Sequence, residues 1–221
     1  MASTTGYAAF FYGTLLHPKI LKRVIGNDGS HLRICPAVLL EHTRHHIKNA
    51  DYPAVVPYER SQVFFDKPLE PEERSVRGTL VVGLNQLDMD LLDTFEADEY
   101  TRSTVPVHPL SPLVPLNAVT DNPSFPSPNA IAPSIAPSLP PLSSLPSPID
   151  AQTYIWTHPL SDLKKEIWEY ETFVRENAWK WTGEEEDGTV TDGDSREMYY
   201  TEVERRRAMG GNIVRVGGDE V

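Results

Sequence analysis

Tyr7-Ala8-Ala9-Phe10-Phe11-Tyr12-Gly13-Thr14-Leu15-Leu16, followed by His17-Pro18, decides how the rest of the chain is read. Tyr7 to Phe11 is an aromatic and apolar run of the kind that forms a buried first strand. Gly13 interrupts it, and Pro18 suits a first helical turn, where its missing N–H has no bond to lose. Ile20, Leu21, Val24 and Ile25 then recur at helical spacing, with Gly26 placed to stop the helix. The chain thus opens as strand, glycine-containing loop and short helix.

Further strand-like runs lie at Ala37 to Leu40, His45 to Ile47, Ala54 to Val56, Gly78 to Gly83, Thr101 to Val107 and Ala151 to Trp156. The charged interval Phe65 to Ser75 reads as a surface loop. Asn85 to Thr94 reads as a helix, with Leu87, Leu91 and Leu92 on one face and Asp88 and Asp90 at its positive end. Leu163, Ile167, Tyr170, Val174 and Trp181 predict a second amphipathic helix over Asp162 to Trp181, and a last one spans Glu197 to Ala208. Strands and helices mix without regular alternation, which predicts an α+β fold with a mostly antiparallel or mixed sheet.

The 221 residues carry a net charge of −12 and no extended basic cluster, which argues against nucleic acid and against an anionic membrane surface. No basic start with an apolar run marks a signal peptide, and a cytoplasmic, soluble protein is the expectation. Cys35 is the one cysteine and reads as a small buried hydrophobe. Thirteen of the 20 prolines fall between Pro106 and Pro148, where ladder and helix bonding would be blocked. That stretch reads as an extended insertion without packed elements. Pro109-Leu110-Ser111-Pro112 has the spacing of a signalling ligand, but no basic residues flank it and a spacer is favoured.

His42, His45 and His46 invite a metal reading, but a strand would split them between two faces and no third-ligand motif follows, so no metal is expected. Asp187, Asp192 and Asp194 do not have the spacing of a calcium loop.

Four blocks in order resemble one family. They are Phe10 to Leu16 (FFYGTLL), Tyr52 to Pro57 (YPAVVP), Leu91 to Arg102 (LLDTFEADEYTR) and Ala151 to Trp156 (AQTYIW). Together they resemble the gamma-glutamylcyclotransferase-like superfamily, in the branch related to plant avirulence-induced proteins. The resemblance implies a small mixed β-barrel with flanking helices over residues 7–182, interrupted at about 108–149; residues 183–221 read separately as an acidic loop, short helix and tail. It also implies a reaction without cofactor. The α-amine of a gamma-glutamyl group attacks its own side-chain carbonyl and releases 5-oxoproline and a free amine.

By the same resemblance Glu96 is the acid/base, Tyr12, Gly13, Thr14 and Leu15 hold the glutamyl moiety, Tyr52 lines the pocket and Tyr100 bonds substrate. Phe95 and Leu92 are apolar neighbours suited to raising a carboxylate pKa. Ala97 departs from the glycine that many relatives carry after the glutamate. Arg102 is expected to pair with a neighbouring carboxylate. A rival reading keeps the scaffold and makes the proline-rich insertion a contact surface for a partner, since fold alone does not decide function.

Overall fold

The computed structural model describes residues 6–120 and 139–176. Strand β1 (Tyr7–Phe11) runs antiparallel to β5 (Ser75–Leu84) and parallel to β8 (Ile149–Trp156). β8 lies antiparallel to β6 (Tyr100–Pro109), β6 to β2 (Arg33–Leu40), and β2 to β5 along eight residue pairs. The order β5-β1-β8-β6-β2 therefore returns to β5 and closes a five-strand mixed barrel. This is the α+β barrel that the sequence predicts.

Alternation along the strands separates two buried clusters. Phe10, Cys35, Ala37, Leu39, Leu80, Val107 and Ala151 come from all five strands and fill the barrel. Burial pushes the Cys35 thiol up to about 11, so it stays protonated and unreactive. Ala9, Phe11, Ile34 and Val81 belong to the other cluster, with Ile20, Leu21 and Val24 of helix α1 (Pro18–Ile25) and Met89, Leu92 and Phe95 of helix α3 (Gln86–Glu96). Gly78 is required where β5 crosses β1, because a Cβ there would run into the Phe11 carbonyl oxygen and the Phe10 ring.

A second sheet has the order β4-β3-β9, from β3 (His42–Ile47), β4 (Pro53–Pro57) and β9 (Leu163–Ile167). A short helix, α2 (Tyr58–Ser61), follows β4. The helix expected from Asp162 to Trp181 is not formed as read. Leu163 to Ile167 is a strand, paired Leu163 with Ile47 and Ile167 with His45, and the helix is only α5 (Tyr170–Glu176). Positions four apart share a face in a strand as well as in a helix, so their spacing was ambiguous. The open edge of β3 settles it: its N–H and C=O groups need partners. Lys48 N–H bonds the Asp162 carbonyl at 2.8 Å, and Trp168 N–H bonds that of Arg44 at 3.0 Å. Residues 177–181, the expected helix at Glu197 to Ala208 and the acidic loop lie outside the described residues.

The reading of Pro106 to Pro148 as free of packed elements also needs correction at its start. β6 continues through Pro109, and Leu110 N–H bonds the Pro36 carbonyl at 2.8 Å. A two-residue strand, β7 (Val114–Pro115), extends the same edge of β2 and leads into helix α4 (Leu116–Thr120). Leu116 and Val119 are fully buried beside α1. Proline is tolerated where a strand's N–H would face away from a partner, which is the situation at a strand end or edge. Leu116→Ala should therefore cost about 2–5 kcal/mol, read as a fall in the denaturant midpoint. A spacer residue would leave that midpoint unchanged.

β3 splits the histidines as expected, with Thr43, His45 and Ile47 buried and His42, Arg44 and His46 half-buried on the other face. Among the described residues no three His, Cys, Asp or Glu side chains come together to hold a metal. His45 is fully buried between Thr43 Oγ1 (2.9 Å) and the Lys164 carbonyl (3.1 Å). Burial holds His45 and His42 below the usual imidazole value. The unfolded chain takes up these protons near pH 6.5 while the folded chain resists them, so stability falls as pH drops below that value. Denaturant midpoints should decline from pH 7.5 to pH 5.5, and His45→Gln should flatten the slope.

Candidate active site

Helix α3 starts from a capping box: Asn85 Oδ1 accepts from Asp88 N–H at 3.0 Å, and Asp88 Oδ2 accepts from Asn85 N–H at 2.9 Å. Asp88 is fully buried and also holds Asn27 Nδ2 at 2.8 Å and His31 Nε2 at 2.9 Å. These bonds pin the helix so that Met89, Leu92 and Phe95 face the core, whereas Leu87, read as part of that face, is 64% exposed.

At the other end the chain turns sharply. Glu96 closes the helix, Ala97 takes φ 57° and ψ −159°, and a 3-10 turn at Ala97–Glu99 leads into β6. That backbone region belongs almost wholly to glycine and costs a substituted residue on the order of 1–3 kcal/mol. The reversal puts Phe95 and Glu96 on one cavity, while Leu92 stays in the core.

The opposite wall is the end of β1. A 3-10 turn at Thr14–Leu16 follows Gly13, with Leu16 N–H bonded to the Gly13 carbonyl at 3.0 Å. Gly13 lies against Pro53; a Cβ at this position would sit 3.0 Å from two ring carbons. Arg44 fixes the strand end from beneath, its Nη1 donating to the Tyr12 carbonyl at 2.7 Å and its Nε to that of Trp168 at 3.1 Å. Its guanidinium also lies over the Trp168 ring, 4.9 Å from the centroid. Burial lowers Arg44 to about 10, which leaves it charged at neutral pH.

Between these walls lies a small cavity that opens to solvent. Every residue singled out for the site lines it: Glu96, Tyr12, Gly13, Thr14, Leu15, Tyr52 and Tyr100. Tyr154 of β8 lines it too and was not among them. Its strand and its face were legible, shared with Trp156, but no motif marked the hydroxyl as more than core. Arg44 carried no signal either, because only the fold brings it beneath Tyr12.

The four tyrosines have their protons turned to the protein. Tyr12 donates to the Tyr154 carbonyl, Tyr100 to the Pro53 carbonyl at 3.0 Å, Tyr52 to Glu99 Oε2 at 3.0 Å and Tyr154 to Asp93 Oδ1 at 2.9 Å. Burial, with the Glu96 charge among the lesser causes, holds the Tyr12, Tyr100 and Tyr154 hydroxyls well above the usual phenol range. They are neutral. Arg102 pairs with Asp93 Oδ2 at 2.9 Å, as the sequence suggested.

A closed mixed barrel with helices on its outer face, and a tyrosine-lined cavity between the end of β1 and the carboxylate that ends α3, is the gamma-glutamyl cyclotransferase type of α+β fold. The chain belongs to the gamma-glutamyl cyclotransferase, AIG2-like family, whose model matches residues 9–120, from β1 to the end of α4. Among solved structures, two Arabidopsis thaliana proteins known in solution are similar. At5g39720.1 shares 19% identity over 79% of this chain and 86% of its own, with a TM-score of 0.45. At3g28950.1 shares 17% over 88% and 99%, with a TM-score of 0.45. A yeast gamma-glutamyl cyclotransferase specific to glutathione, known from a crystal structure, shares 18% over 92% and 87%, with a TM-score of 0.41. No curated protein sequence matches the chain.

Replacing Ala97 by glycine should relieve the backbone reversal beside Glu96 and stabilise the fold by about 1 kcal/mol net of the greater freedom of unfolded glycine. An increase in the denaturant midpoint is the expected reading; a decrease would show that the reversal is unstrained.

Proposed function

We propose that this cavity cyclises a gamma-glutamyl amine, releasing 5-oxoproline and the free amine, with Glu96 as the sole proton carrier. The observation that carries the reading is the meeting, in one cavity, of Glu96 with the Tyr12 to Leu15 turn some 80 positions earlier in the chain. Family membership supplies the reaction class.

The substrate's α-ammonium cannot attack until it loses a proton, and Glu96 takes it. The amine nitrogen then bonds to the γ-carbonyl carbon, and negative charge develops on the carbonyl oxygen. Each of the four tyrosine protons is already donated to a protein acceptor. The backbone N–H groups that open the turn at Thr14 and Leu15, which have no partner inside that turn, are donors suited to the oxyanion. Glu96 passes its proton to the leaving nitrogen, the old C–N bond breaks, and a second ammonium proton follows the same route. Two of the three ammonium protons thus end on the departing amine and one stays on the lactam nitrogen. Holding the two ends of one substrate together replaces a bimolecular encounter, so positioning and proton transfer suffice.

Release of 5-oxoproline from a panel of gamma-glutamyl peptides and amines tests the reading. Glu96→Gln keeps the shape and removes the base, and should lower turnover by about 10²-fold or more. Retention of wild-type turnover by that variant would remove Glu96 from the mechanism.

A further inference from the structure

We propose that Asp93 and Arg102, neither of which lines the cavity, are positioning residues that turn the Tyr154 hydroxyl into a hydrogen-bond acceptor for the substrate's α-ammonium. This rests on the gamma-glutamyl reading above and assigns the recognition of one substrate group within it.

A phenol has one proton and two acceptor lone pairs, and the O–H lies in the ring plane, so it has two settings. In one it points to Asp93; in the other it points away. Asp93 Oδ2 accepts from Arg102 Nη1 at 2.9 Å, and Asp93 Oδ1 faces the Tyr154 hydroxyl at 2.9 Å. A carboxylate paired with a guanidinium can only accept. Tyr154 must therefore donate to it. Its lone pairs remain for the cavity, beside Glu96, whose charge is among the influences on this hydroxyl. An acceptor in that place favours an N–H-rich cation and offers nothing to a carbonyl or carboxylate. The α-ammonium is the part of a gamma-glutamyl compound that meets this description.

Asp93→Asn inverts the arrangement at constant shape. The amide oxygen turns to Arg102, which has only donors, and the amide NH₂ turns to Tyr154. The phenol must then accept from it and point its proton into the cavity. Two ligands separate recognition of the ammonium from general pocket damage: L-glutamine, and glutaramate, which differs only in lacking the α-amine. Both are titrated by NMR against the wild-type full chain, Asp93→Asn, Tyr154→Phe and the double variant. The single variants should each bind L-glutamine about tenfold or more weakly, the factor carried by one hydrogen bond to a charged group. Glutaramate affinity should change by less than about twofold, and the double variant should be no worse than Tyr154→Phe, because Asp93 acts through that hydroxyl. Equal losses for the two ligands, or additive losses in the double variant, would overturn the assignment while leaving the glutamyl site intact. Failure of the wild-type protein to bind L-glutamine would overturn the glutamyl site itself, and this assignment with it.

Discussion

Strand β8 carries the closure of the barrel, because it enters between β1 and β6 and supplies the one parallel contact of the ring. Its backbone register with β1 is a single residue pair, Ala9 with Gln152. Two side-chain bonds reinforce it: Thr153 Oγ1 donates to the Phe10 carbonyl at 2.9 Å, and Tyr12 donates to the Tyr154 carbonyl. Both are buried, where an unmade bond would cost the full desolvation of its partners. The same strand that closes the barrel therefore sets Tyr12 and Tyr154 against each other at the cavity. Structure and site share one joint.

The second constraint is the abrupt end of α3. A helix anchored at its start by Asp88 and packed along Met89, Leu92 and Phe95 must deliver Glu96 to the cavity and then reverse into β6 within three residues. Ala97 takes up that reversal in a backbone region where a Cβ is unwelcome. Around Glu96 the protein then places aromatic rings whose hydroxyls are neutral and whose protons are directed outward. Such an arrangement concentrates the ionic chemistry of the cavity wall on one carboxylate, consistent with a reaction that needs a single proton carrier.

Much of this was legible in the residues. The strand at Tyr7 to Phe11, the helix at Pro18 and its stop at Gly26 carry local signals strong enough to survive any tertiary context: an apolar run, a proline at the first turn, a glycine that takes φ 70°. Glu96 was readable only because motif blocks flank it, since its acidic neighbours alone suggest a solvated helix end. Leu163 and Ile167 misled because a spacing of four fits a strand and a helix alike, and only the unpaired edge of β3 chose between them. Leu116 and Val119 were hidden among prolines whose effect on local structure outweighs, on paper, two apolar side chains.

The sequence by itself determined the barrel class, the position of the turn after β1 and the identity of the acid/base candidate, because each rests on local chemistry or on contiguous motifs. Tertiary structure alone decided that Arg44 lies beneath Tyr12, that Tyr154 joins the cavity and that the Asp93–Arg102 pair orients its hydroxyl. Arg44 reaches Tyr12 across 32 positions and Tyr154 reaches Asp93 across 61, whereas Asp93 and Arg102 lie close in the chain. No local pattern encodes them, because a hydroxyl's role depends on which acceptor the fold brings within three ångströms of it.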